Sequence, residues 1–170
     1  MRKFLPILAV ACAAAFALSA CDQGEQKQEA AVEQQKPAKV PLPANAADKT
    51  AWKQYLSAVV TDNMQGVKSN RPYMYFVPAG EDDTAKTDRA NQLDNVKTTV
   101  SRGVLPGNMM AFGGPDSAAT AQLVVDAFKD AQPGSFKDVV VLFIGAPADG
   151  ETVKQALAAS AADVRFVEAK

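Results

Sequence analysis

The sequence predicts an α/β class domain over residues 50–170: a layered structure with a mainly parallel sheet of about four strands alternating with four helices. Three observations predict it. Stretches with apolar residues at three-and-four spacing alternate with short apolar runs, and Gly or Pro separates them. One run, Val139 to Ile144, is apolar without interruption, the pattern of a strand covered on both faces. Helical stretches between successive strands are the crossovers that parallel, right-handed connections need.

The first helix carries Trp52, Tyr55, Leu56, Val59, Val60 and Met64 on one face, with Asp48 as N-cap and Gly66 near its end. Tyr73 to Val77 is a short aromatic and aliphatic strand closed by Pro78-Ala79-Gly80, and Tyr73 and Tyr75, two apart, share one of its faces. A second helix from Thr87 to Arg102 offers Leu93, Val96 and Val100 to a core and stops at Gly103. Met109 to Phe112 is the second strand. The third helix starts at Asp116 or Ser117 and buries Leu123, Val124, Ala127 and Phe128 before Pro133-Gly134 turns the chain. Val139 to Ile144 is expected at the centre of the sheet. A fourth helix, Gly150 to Ala161, presents Val153, Ala156 and Leu157, and Val164 to Val167 closes the chain as an edge strand with a polar side at Arg165.

Composition narrows the chemistry. A chain of 170 residues supports one packed domain of ordinary size. Its 18 basic and 19 acidic residues supply no excess of positive charge, so nucleic acid is not an expected partner. It has no His, which removes Ser-His-Asp and Cys-His pairs and His-bearing zinc sets. None of its serines begins an S-x-x-K, the route to an activated nucleophile without His. No cofactor and no metal site is expected, and an enzymatic role is not the leading expectation.

Residues 1–20 form a unit of their own, with Arg2 and Lys3 as a charged start and Phe4 to Ala17 as an apolar run broken by Pro6. That is the pattern of a secretory signal. Its end, Leu18-Ser19-Ala20-Cys21, resembles the lipobox of bacterial prolipoproteins at every position. The resemblance implies cleavage before Cys21, a diacylglycerol on its sulfur and an acylated amine, so that the lipid bilayer becomes a partner through the acylated Cys21. More than one chain is needed for a stable anchor, at about 0.8 kcal/mol per buried methylene. Asp22 resembles the signal that keeps such lipoproteins on the inner membrane, facing the periplasm. Cleavage removes Cys12, Arg2 and Lys3, leaving a mildly acidic chain with no disulfide. Residues 21–49 read as the lipidated Cys and a disordered tether, rich in Gln and Pro and without aromatic residues.

In open parallel sheets, ligands sit outside the carboxyl ends of the strands. The loops there are alike: Phe112-Gly113-Gly114-Pro115-Asp116-Ser117, Ile144 to Gly150, and Val77 to Asp83 each combine Gly, Pro and an acidic residue. Gly113 and Gly114 with Ser117 and Thr120 suggest an anion nest at a helix N-terminus, although the loop holds no Lys or Arg and two glycines also serve an ordinary turn. Glu81, Asp82, Asp83, Asp116, Asp149 and Glu151 gather at the same edge in this fold, which favours a basic partner over a phosphate. The candidate contact residues are therefore Gly113, Gly114, Asp116, Ser117, Asp82, Asp83 and Asp149. The expected function is that of an envelope lipoprotein whose domain is a non-enzymatic protein-interaction module: an inhibitor, immunity or assembly factor that contacts a basic envelope protein. A small-ligand binder or hydrolase using the crevice beside Gly113-Gly114 is one alternative, and a peptidoglycan-associated structural lipoprotein is another.

Overall fold

The computed structural model of the chain describes residues 40–170; the signal segment, Cys21, Asp22 and the tether up to residue 39 lie outside the described residues. The elements run α1 (Lys49–Asp62), β1 (Tyr73–Phe76), α2 (Asp83–Arg102), β2 (Met109–Gly113), α3 (Ser117–Phe128), β3 (Val140–Gly145), α4 (Pro147–Leu157), a 3-10 turn (Ala158–Ser160) and β4 (Asp163–Glu168). The four strands form one sheet in the order β1-β2-β3-β4, and every adjacent pair is parallel. It is a layered α/β domain.

A strand order that follows chain order means that each crossover steps one strand in the same direction, and right-handed connections then put all three crossover helices on one face. Side-chain alternation divides the core accordingly. Met110, Phe112, Val141 and Phe143 pack with residues of α2, α3 and α4, including Val96, Val124 and Val153. Met109, Ala111, Val140, Leu142 and Ile144 point the other way and pack with Trp52, Tyr55, Leu56 and Val60 of α1. β2 and β3 are buried at every position, as the uninterrupted apolar run predicts, and β4 is an edge strand. Each fully buried aliphatic or aromatic side chain contributes about 1.5–3 kcal/mol, so these two strands anchor both layers.

Tyr73 and Tyr75 share a face but not an environment. Tyr75 is buried and stacks on Phe112 with ring centroids 5.0 Å apart, whereas Tyr73 is 43 % exposed. Burial raises the Tyr75 phenol above its ordinary value, although Thr99 Oγ1 lies 3.2 Å from its hydroxyl.

Three local differences from the sequence reading have physical causes. α2 begins at Asp83 rather than Thr87, because the Asp82 carboxylate accepts the Ala85 N–H at 2.9 Å and starts the helix one turn earlier. α4 begins at Pro147 rather than Gly150, with proline's fixed φ suiting the first helical turn. It ends at Leu157, where the chain tightens into the 3-10 turn and leaves through Ala161 in the left-handed region, and Ala156 is exposed. No helix among the described residues is long and apolar enough to cross a membrane.

Candidate functional site

Because all four strands are parallel, the β1–α2, β2–α3 and β3–α4 loops lie at one edge of the sheet, with the end of β4 beside them. Between the β2–α3 and β3–α4 loops is a cleft of about 400 Å³. One side is Gly114, Pro115 and Ser117, and the other is Gly145, Ala146 and Pro147. Glu168 and Ala169 at the end of β4 close it laterally, Trp52 of α1 reaches it from the layer beneath, and Leu42, Pro43, Ala44 and Ala46 form the remaining wall. Those last residues lead into α1, whose first turn is capped by Asp48 through the Thr50 and Ala51 N–H groups at 3.1 and 2.9 Å.

The loop chemistry is largely committed to holding the walls. The Asp116 carboxylate accepts the Ala119 N–H at 2.9 Å, and Thr120 Oγ1 donates to the Asp116 carbonyl at 2.8 Å. Ser117 Oγ accepts the Ala146 N–H at 2.7 Å, which ties the first turn of α3 to the residue before α4. Gly114 is required by close approach: a Cβ there would overlap the Val77 carbonyl oxygen. Gly145 is required in the same way, by Ser117 Oγ and the Phe143 ring. The glycines therefore bring the β1, β2 and β3 ends together, and the Ser117 and Thr120 hydroxyls serve the same junction.

Of the residues proposed from sequence, Gly114 and Ser117 line the cleft, Gly113 ends β2 directly before it, and Asp116 caps the adjoining helix. Asp82 caps α2, Asp83 is that helix's first residue, and Asp149 is in the first turn of α4; none of the three lines the cleft. The Ala85 N–H holds the Asp82 carboxyl below its usual range. Glu81 pairs with Lys86 at 3.5 Å and Arg89 at 3.6 Å, so part of the acidic edge is neutralised locally. Among the described residues no group of three or more His, Cys, Asp or Glu is placed to hold a metal ion.

The residue that sequence reasoning placed only in the core is Trp52. It is 4 % exposed and lines the cleft, and its indole Nε1 is the one buried side-chain nitrogen or oxygen among the described residues without a hydrogen-bond partner. Leaving such a donor unsatisfied costs about 1–3 kcal/mol. The available signal was its type: an indole brings an N–H donor into the stripe, and a buried indole N–H usually has a partner. The neighbouring Tyr55 shows the contrast, since its hydroxyl accepts the Lys170 N–H at 3.2 Å.

Compared with known proteins, the chain matches no family model, no curated sequence and no solved structure.

Proposed function

We propose that the chain is a lipid-anchored bacterial envelope lipoprotein, held at the periplasmic face of the inner membrane through Cys21, whose α/β domain is a non-enzymatic protein-interaction module. The cleft between the β2–α3 and β3–α4 loops is its contact site. The observation that carries the site is the cleft itself, which opens at the carboxyl ends of the parallel strands between Gly114, Pro115 and Ser117 and the facing Gly145, Ala146 and Pro147. Ser117, the hydroxyl that lines the cleft, is bound into the loop junction, and the neighbouring Asp116 carboxylate into capping α3. Asp83 and Asp149, without a salt bridge among the described residues, add negative charge at the same edge and favour a basic partner. The anchor rests on Leu18-Ser19-Ala20-Cys21 behind a charged and apolar leader.

Photo-crosslinking in intact envelopes tests the site. A photoreactive residue at Ala146, on the rim, should give a discrete crosslinked species that one at Leu105, an exposed residue in the α2–β2 loop, does not. Equal crosslinking at both positions, or none at Ala146, would refute the assignment. Cys21→Ser should abolish fatty-acid labelling and release the protein from membranes.

The cleft volume favours a second reading, since about 400 Å³ falls within the range of sites for small molecules. A thermal-shift screen of neutral small molecules and sugars checks it: a ligand that stabilises the wild type but not Ala146→Trp would place a small molecule in the cleft.

A further inference from the structure

We propose that the open edge of β1 takes up a short extended segment of another protein, which adds to the sheet as a further strand and brings an acidic side chain to Lys53. This surface lies along the side of the sheet and does not depend on the cleft. Main-chain geometry selects an extended segment. β1 is an outer strand and pairs with β2 alone. Along a strand the N–H and C=O groups of successive residues point to alternate sides, and an outer strand leaves one of those sides unpaired. The Val77 N–H donates to the Gly113 carbonyl at 2.9 Å, so Tyr73, Tyr75 and Val77 turn their groups toward β2. Met74 and Phe76 turn theirs outward, and among the described residues no hydrogen bond outside the sheet engages the main chain of either. Pro72 and Pro78 hold the outward positions on either side and have no N–H, and the Pro78 carbonyl already accepts Arg89 Nη1 at 3.2 Å. Met74 and Phe76 therefore supply the open donors and acceptors of this edge.

Side chains frame the edge and leave it uncovered. A groove of about 480 Å³ runs along β1, open on its outer side because no strand lies beyond it. One wall is α1, which contributes Lys49 and Lys53 and lies on the Met74 side, where Ser57 Oγ is 3.7 Å from Met74 Sδ. The other wall is α2, which contributes Asp88, Asn91, Gln92 and Asn95 and lies on the Tyr75 side, where the Tyr75 hydroxyl is 3.2 Å from Thr99 Oγ1. A strand seated between them directs alternate side chains to the two walls. β4, the other outer strand, carries Asp163, Arg165 and Glu168, charges of the kind that keep an open edge from pairing. The β1 sequence Tyr73-Met74-Tyr75-Phe76 carries none, and Tyr73 and Met74 are exposed.

Charge selects the occupant. Lys49 is held by Asp88 at 2.7 Å, whereas Lys53, exposed on the same wall, has no salt bridge among the described residues. An acidic side chain on the α1 side of the added strand pairs with it. A second copy of this chain fits worse. Two copies joined through antiparallel β1 strands share one sheet with α1 beside α1, which brings the two Lys53 side chains together, and like charges across a strand pair are destabilising.

The test uses the full-length acylated protein in detergent micelles and a blocked peptide, acetyl-Val-Thr-Glu-Thr-Val-amide, which places Glu and Val on one face and Thr on the other. Hydrogen exchange followed by NMR should show the Met74 and Phe76 amides slowed saturably by the peptide, with Leu105 in the α2–β2 loop unchanged. N-methylation of the two Thr nitrogens and N-methylation of the Glu nitrogen should differ, since one alternate set of amides pairs with β1 and the other faces away; one should abolish binding and the other spare it. Lys53→Glu, at an exposed helical position, should weaken the peptide about fivefold, and a peptide with Lys in place of Glu should recover that loss. Met74→Pro removes an outward N–H without touching the β1–β2 ladder and should abolish binding; the Lys53→Glu exchange keeps the test decisive if that variant folds poorly. No saturable protection, equal effects of the two methylations, or indifference to the Lys53→Glu exchange would each overturn the proposal. Protection of Met74 and Phe76 before peptide is added would also overturn it, by showing that the chain itself or a second copy already covers the edge. Failure here leaves the cleft assignment standing, because the Ala146 crosslink reads a different surface.

Discussion

Ser117 Oγ accepts the Ala146 backbone N–H at 2.7 Å, so a side chain on the first turn of α3 holds the loop that starts α4. This bond fixes the distance between the two walls of the cleft. Ser117→Ala removes the acceptor, and because Ala146 is exposed, water can replace it at a cost of about 1 kcal/mol. The expected outcome is a melting midpoint lower by about 3–5 °C by calorimetry, given the usual scaling with domain size. Hydrogen exchange at Ala146 should accelerate while β3 amides stay protected.

Gly114 makes a stronger prediction. A Cβ at this position collides with the backbone oxygen of Val77, which belongs to the loop after β1 and cannot rotate aside as a side chain could. Gly114→Ala should cost about 3 kcal/mol or more, in the range reserved for overpacking against fixed atoms. Gly134→Ala is the control: φ there is +73°, but nothing lies within 4 Å of the added carbon, so only the backbone term of about 1–2 kcal/mol applies. Urea unfolding should rank the two in that order, and equal losses would show that the Val77 contact is relieved by a small shift of the loop.

The sheet was legible in the sequence because β2 and β3 are buried on both faces, and Val140 to Ile144 leaves no polar residue to blur the pattern. Asp48 and Asp116 announced their helices because a carboxylate before an apolar stripe is a strong start signal, and both cap as expected. The start of α4 was not legible: Ala146 makes no side-chain cap, and the group that holds its N–H is Ser117, 29 positions away. The same limit applies to the cleft. Gly113, Gly114 and Ser117 could be found from loop composition, whereas Trp52 reads as one more core residue until the fold sets it beside Gly145 and Leu42. Position along the chain shows which face a residue takes, not which distant loop ends there.

Asp82 predicts the response to acid. Its carboxyl sits below the ordinary value of 3.8 in the folded chain, chiefly through the Ala85 N–H, and titrates at the ordinary value when unfolded. Between those two values the unfolded state binds more protons, so this contribution is complete above the unfolded value and is lost as pH falls through the folded one. Asp82→Asn keeps a capping oxygen and removes the titration. Melting midpoints followed from about pH 5 down to about pH 2.5 should therefore decline less steeply in Asp82→Asn than in the wild type. Asp82→Ala should lower the midpoint at neutral pH, where the Asn variant changes little.

Arg165 carries the last prediction, because it joins the edge strand to the far end of the opposite layer. Its Nη1 donates to the Asn63 and Gln65 carbonyls at 3.0 and 2.8 Å, just past the end of α1, and its Nε and Nη2 both donate to Asp163 at 3.1 and 2.9 Å. The guanidinium thus holds two carbonyls and a carboxylate in one plane-bound set of donors, a geometry that an ammonium group does not reproduce. Arg165→Ala should destabilise by about 1–2 kcal/mol, a modest figure because the side chain keeps 28 % of its surface exposed. Arg165→Lys should recover less than half of that loss, since one ammonium cannot serve the carbonyls and Asp163 together. Hydrogen exchange should separate this from a general loss of stability, with the segment from Asn63 to Val67 opening first in both variants while β2 and β3 stay protected. Full recovery by Lys would mean that charge, and not the shape of the guanidinium, fastens β4 to α1.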